Sequence, residues 1–278
     1  MGLGIWFIVI LAGAMGQFVD TLAGMGFGAF SSSFMVAGGV TPALVVATVN
    51  VAKVGSGLFS GLAHWRFGNV RWKWAGPLAL SGVAGGVLGG TLLVHISQGL
   101  TRFWLPVLLL LMGLLLLRRF LFEATTVPSV AGASTEWDPP ARAGLWWNAA
   151  RKWKAASTGV QLAVIGLFGG VINGLSGAYG PFTTTSVLLT KGGHPRYSVG
   201  SVNLAEFFVA GAVSVAILSQ INWAEFQWQL PVGLIAGSVL TAPLGAYLSR
   251  RLPLRLIGVF MGIAMVGLNV FSLLRSLA

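Results

Sequence analysis

The chain has 278 residues, of which 55% are hydrophobic and only 8% charged, with a mean hydropathy of +0.84 and a net charge of +11. A soluble domain carries about 25% charged residues, so this chain has too few to cover a water-facing surface and reads as an all-α polytopic membrane protein. It contains no cysteine, which excludes disulfides, thiolate catalysis and thiolate metal sites, and its surplus cations suit cytoplasmic loops over anionic lipid rather than nucleic acid.

No Lys or Arg precedes residue 53, so the first twenty residues lack the charged region of a signal peptide and are read as part of the mature protein. The first apolar stretch, 3–22, runs into DTLAGMGFGAF (20–30), where Gly24, Gly26 and Gly28 alternate; a short apolar stretch, 28–38, follows. Spans are expected over 42–63, 75–96 and 103–117. A polar linker, 122–158, holds Pro128, Pro139, Pro140 and three of the six acids. It ends in ARAGLWWNAARKWKAAS, an amphipathic pattern suited to lying on the cytoplasmic leaflet. The loop HWRFGNVRWKWAG (64–76) has the same aromatic and basic character of a membrane anchor. After the linker come 159–175, a second glycine break in NGLSGAYGPFTTT (173–185), the short stretch 181–190, and spans over 197–219, 230–248 and 255–274.

The two halves repeat one design. Gly28 aligns with Gly180, the SSS of 31–33 with the TTT of 183–185, Pro42 with Pro195, TVNVAK (48–53) with SVNLAE (201–206), and Pro77 with Pro231. The alignment pairs Asn50 with Asn203 and Lys53 with Glu206. It divides the chain into a first transmembrane repeat (1–121), the cytoplasmic linker (122–158) and a second repeat (159–278). Each broken segment either crosses once or returns as a hairpin. With returning hairpins, fourteen of the sixteen basic residues other than Lys53 fall on one face; with crossing ones the split drops to ten against six. The positive-inside rule therefore favours hairpins. The expected architecture is two inverted repeats, each a glycine-broken hairpin plus three transmembrane helices, about eight membrane segments in all, with both termini periplasmic. Inverted repeats with broken helices near the midplane are a recurrent plan for secondary transporters.

A broken helix leaves backbone N–H groups unpaired, at a cost of several kcal/mol each in hydrocarbon unless an acceptor is supplied. The helices restarting near Phe27 and Pro181 aim such groups, and the positive end of a helix dipole, at the protein centre. Ser31 and Thr183, within the SSS and TTT runs, add hydroxyls. Two such tips would make an anion site; the competing reading of the glycines is close helix packing, and GVAGGVLGG (82–90) is assigned to packing. Charges within spans point to function, and three qualify: Asp20, Lys53 and Glu206. Lys53 stands three residues from Asn50, and Glu206 likewise from Asn203, which puts each pair on one helix face. Lys53 and Glu206 form a structural ion pair, or Lys53 binds the anion while Glu206 or Asp20 carries a coupling proton. Lys191, His194 and Arg196 are an entry funnel for anions or interfacial snorkelling. The scattered histidines His64, His95 and His194 make no metal spacing, no acid/base pair or nucleophile suggests an enzyme, and no cofactor is implied.

With GMGFGAF…P…TVN in its first half and SGAYGPF…P…SVN in its second, the chain resembles the TauE/SafE family of bacterial membrane permeases. The resemblance covers nearly everything but the linker. It implies a bacterial inner-membrane transporter exporting sulfite, or an organosulfonate such as sulfoacetate. The alternative is a channel, facilitator or importer for related sulfur oxyanions. It places the substrate at Gly24, Gly26, Gly28 and Asn50, and at Ser176, Gly177, Gly180 and Asn203. Membrane lipid, and protons as the coupling ion, are the other partners expected from the residues themselves.

Overall fold

The computed structural model describes residues 3–23, 26–123, 158–191, 195–221, 226–248 and 254–277, all in helices and short connections. Gly24, the amphipathic linker end and His194 lie outside the described residues, as do the side chains of Lys191 and Arg196. The first half contains α1 (Leu3–Ala23), α2 (Phe27–Ala37), α3 (Pro42–Arg66), α4 (Trp72–His95) and α5 (Gln98–Arg118), which ends in a π-helical turn at Arg119–Glu123. The second half contains α6 (Thr158–Ser176), α7 (Gly180–Lys191), α8 (Pro195–Leu218), α9 (Gln229–Leu248) and α10 (Leu254–Leu277). Pro42 and Pro195 open α3 and α8, where a missing N–H costs nothing and the fixed φ suits a helix start.

Among the described residues, six helical stretches are long and apolar enough to cross a membrane: Pro42–Arg66, Trp72–His95, Gln98–Leu121, Thr158–Ser176, Tyr197–Leu218 and Gly258–Ser276. Their outward residues are large and apolar, with Leu80 78% and Val215 69% exposed, as a surface solvated by lipid tails requires.

Both broken regions fold back on themselves. Gly26 lies against Val19 and Asp20, and Gly16 against Phe27 and Ser31, so α2 returns along α1. Likewise Gly169 of α6 faces Tyr179 and Thr183 at the start of α7. The arms are unequal. α1 has 21 residues and α6 has 19, against 11 and 12 for α2 and α7. At about 1.5 Å per residue the outgoing arms reach roughly 30 Å, and the return arms about half of that. The expectation of short arms at 28–38 and 181–190 therefore holds for the returning side alone.

Contacts between the halves come in matching sets. Gly82, Gly86 and Gly90 of α4 follow Gly166, Gly170 and Gly174 of α6 in rising order, so the two run parallel, backbone on backbone. On the other flank α1 and α9 also run parallel: Val9 meets Gly233, Ile10 meets Gly237, and Thr241 donates to the Ala14 carbonyl at 3.0 Å. In the middle α3 and α8 run antiparallel, as do α5 and α10. Three buried clusters fill these seams. One lies around Leu78, Leu162 and Val209, a second around Leu109, Phe30 and Met265, and a third around Val9, Val45 and Leu234.

At the basic end, Arg71 stacks on Trp74 (5.0 Å) and Tyr197 (4.4 Å), while its backbone N–H donates to Ser201 Oγ at 3.0 Å. This ties the α3–α4 connection to the start of α8. Trp65, Phe67 and Trp72 stand exposed around it, the arrangement of an interfacial aromatic belt.

The glycine seam has a sharp consequence. A Cβ on Gly170 would run into the backbone of Gly82 and Gly86, whereas one on Gly267 meets nothing within 4 Å. Gly170→Leu is expected to destabilise the protein by about 3 kcal/mol or more, and Gly267→Leu by less than about 0.5 kcal/mol. Thermal unfolding of both variants in detergent checks this; equal losses would show that the seam is not closely packed.

Candidate functional site

The site grows from one face of α3. Asn50, Lys53, Gly57 and Ser60 follow one another at three- and four-residue steps, which lines them up along the helix. Because α8 runs antiparallel to α3, Lys53 meets Glu206 and Ser60 meets Asn203. Lys53 Nζ donates to Glu206 Oε1 in an ion pair whose side chains are only 5% and 11% exposed. The same Nζ donates to Asn173 Oδ1 at 3.3 Å, Asn173 Nδ2 donates to Asn50 Oδ1 at 2.7 Å, and Asn50 Nδ2 donates to the Val46 carbonyl at 2.8 Å. A continuous polar chain thus links α3, α6 and α8.

The two hairpin tips meet at this chain. Gly28 touches the Gly177 carbonyl and the end of Lys53, so a Cβ there would occupy the space of both. Gly177 has φ +74°, a left-handed value that suits glycine. Its N–H donates to the Asn173 carbonyl at 2.7 Å and closes α6. A Cβ on Gly177 would lie 2.6 Å from Ser32 Oγ. The tips are in direct contact, with the lysine wedged beside them.

The tips are finished differently. Asp20 Oδ1 accepts from the N–H groups of Gly26 (2.9 Å) and Phe27 (3.4 Å), so the start of α2 carries an internal carboxylate. The sequence reading, in which those N–H groups face an incoming anion, is corrected here: a residue of the chain takes them, as charge complementarity at a helix start favours. At the second break Ser176 Oγ donates to the Ile172 carbonyl at 2.7 Å and accepts from the Ala178 N–H at 3.3 Å. Tyr179, fully buried, donates to the Leu78 carbonyl at 3.4 Å. Gly180 opens α7, and Thr183 is buried beside Gly169.

Beside the ion pair lies a narrow cleft with room for about one water molecule, walled by Gln17, Asp20, Phe27, Lys53, Ser56, Gly57, Ser60, Asn203 and Glu206. Asn203 Nδ2 donates to Ser60 Oγ at 3.3 Å, and its buried Oδ1 has no partner among the described residues. Of the residues singled out from sequence, the structure brings Asp20, Lys53, Asn203 and Glu206 to this cleft. Asn50 joins through Asn173, and Gly26, Gly28 and Gly177 form the tips. Ser31 is buried on the α1 side, with its hydroxyl unpartnered. Ser176, Gly180 and Thr183 belong to the second tip and do not line the cleft.

Asn173, Gln17, Ser56 and Ser60 escaped the sequence reading. Asn173 had a signal: it stands four residues before Gly177, as Asp20 stands four before Gly24. Ser60 continues the Asn50–Lys53 stripe.

Removing one partner of a buried ion pair strands the other. Lys53→Met is expected to cost about 3–5 kcal/mol, and the double change Lys53→Met/Glu206→Leu to recover most of it. Unfolding of the single and double variants in detergent tests this coupling; a double variant as unstable as Lys53→Met would refute it.

The comparisons with known proteins agree with this picture. The family described as Sulfite exporter TauE/SafE matches residues 9–271. The chain is 30% identical over 263 residues, 95% of its length and 81% of the relative's, to the probable membrane transporter protein YtnM of Bacillus subtilis (strain 168). No solved structure matches. With a match from the first hairpin to the last helix, the chain belongs to the TauE/SafE family, a family of membrane transporters and not of enzymes.

Proposed function

We propose that the protein is an inner-membrane secondary transporter that exports a small sulfur-containing anion, sulfite first and organosulfonates such as sulfoacetate next. One observation carries this reading: Lys53, a buried cation held by Glu206, sits where the two hairpin tips touch. An anion approaching the tips meets an amine already paired. For the anion to take the amine, Glu206 must let go, and a released carboxylate in this setting is neutralised by a proton. Anion arrival at Lys53 and proton arrival at Glu206 are then two halves of one exchange. Asp20, which holds the start of α2, is the second candidate for a coupling proton. Asn50 and Asn203 complete the anion's surroundings in this reading, with Gly26, Gly28 and Ser31 in the first tip and Ser176, Gly177, Gly180 and Thr183 in the second; Gly24 joins the proposed substrate region by its sequence position alone.

Alternating access follows from treating 1–121 and 159–278 as inverted repeats joined by the linker 122–158. The parallel packing of α1 on α9 and of α6 on α4 supports that division, as does the antiparallel crossing of α3 and α8. Rocking one repeat on the other would part Gly28 from Gly177 and open the contact to one side at a time. The clustering of Arg66, Arg71, Lys73, Arg118 and Arg119 at one end supports a cytoplasmic linker and periplasmic termini.

Proteoliposomes loaded with sulfite, sulfoacetate, thiosulfate or sulfate test the reading directly. Sulfite flux is expected to respond to an imposed pH gradient, and Glu206→Gln to lower that response about tenfold or more, the factor equivalent to about 1.4 kcal/mol. Sulfite flux indifferent to both would indicate a facilitator. If none of the four anions moves while an unrelated solute does, the substrate assignment fails.

A further inference from the structure

The charges around the cleft do not balance. Lys53 faces two carboxylates, Glu206 from α8 and Asp20 from α1. With all three ionised, the cleft carries one uncompensated negative charge, softened by the backbone N–H groups at the start of α2. Charge left unpaired inside a membrane protein is costly. The other polar residues on the walls include Ser56, Ser60 and Asn203, which bring neutral oxygens to its lining. Asn203 is 4% exposed, its Nδ2 is held by Ser60, and its Oδ1 is buried without a partner.

The geometry points to a binding site for one alkali-metal cation in this cleft, held by oxygens of Asp20, Asn203, Ser56 and Glu206. The charge deficit is one, which a monovalent ion cancels. A proton on either carboxyl would cancel it too, and the choice of salt in the measurement below separates the two. Calcium demands six to eight oxygen ligands, and magnesium a near-ideal octahedron with several retained waters. Among the described residues no three His, Asp or Glu side chains gather to hold such an ion. The clear space between the walls is about that of one water molecule. It admits a small bare cation and is too tight for a sulfur oxyanion, so cation and anion do not compete for the same place. The inference deepens the transport reading by adding a cation beside the anion-binding amine, but the site itself is argued from the cleft alone.

The test needs neither anion nor transport. The purified full-length protein in detergent is melted in sodium, lithium, potassium and choline chloride at equal ionic strength, and binding of radioactive sodium is measured on the same preparation. Sodium is expected to raise the melting temperature saturably relative to choline. Asn203→Leu should weaken sodium binding about tenfold or more, whereas Asn203→Asp, which keeps an oxygen in place and adds charge, should retain or tighten it. Ser214→Ala, elsewhere on α8, should leave binding unchanged. Melting temperatures that follow pH but not the choice of salt would show a proton-only site and overturn the proposal. So would sodium binding that survives Asn203→Leu undiminished. Either failure leaves the anion flux measured in proteoliposomes standing, and an absence of anion flux leaves a positive sodium result standing.

Discussion

Lys53 and Glu206 face each other across α3 and α8 with almost no access to solvent. Either charge alone in that position would cost several kcal/mol of desolvation, which mutual attraction offsets only if the geometry is good and the remaining hydrogen-bonding capacity is met. Much of the central architecture serves that condition. Asn173 reaches from the end of α6 to give the ammonium a second acceptor, and Asn50 holds Asn173 in turn. Gly28 lacks a side chain where the lysine and the Gly177 carbonyl need the space. A larger residue at any of these points would move the pair, and with it the contact between the hairpins.

The two hairpins resemble each other in outline and differ in chemistry. Each outgoing helix carries a polar residue four positions before its first break glycine, but Asp20 turns onto its own hairpin and Asn173 turns away, toward α3. The first tip is sealed by a carboxylate of the chain. The second is organised by Ser176 and by Tyr179, whose hydroxyl is pinned to α4. The two tips therefore carry unlike groups, a carboxylate at the first and hydroxyls at the second.

Around this centre the membrane sets the packing rules. Lipid tails are as apolar as leucine, so helices gain little by hiding leucine from them and associate through close backbone approach. That explains why α4 and α6 meet through six glycines in register while large apolar residues point outward. At the basic end, Arg71 between Trp74 and Tyr197 joins the interface belt to the helix that carries Glu206. The aromatic belt at the basic end and the central pair are therefore joined through one helix, α8.

Most of the fold was legible in the residues. Apolar runs of span length, prolines at 42 and 195, and glycine clusters at 24–28 and 177–180 mark the ends of helices that the structure places within a few residues of expectation. Their signals are local: hydropathy, a missing N–H and a missing Cβ act on the backbone wherever the chain goes. The intramembrane charges stood out for the same reason, since burial in hydrocarbon is costly for any sequence neighbour. What the residues alone left undecided was who would satisfy whom. Asp20 was open to pairing with a cation, taking a proton or turning away, and Asn173 drew no notice. Hydrogen-bond partners 120 or 153 positions apart, as Asn173 and Glu206 are from Lys53, are chosen by helix crossings, and only the tertiary structure sets which faces those crossings bring together.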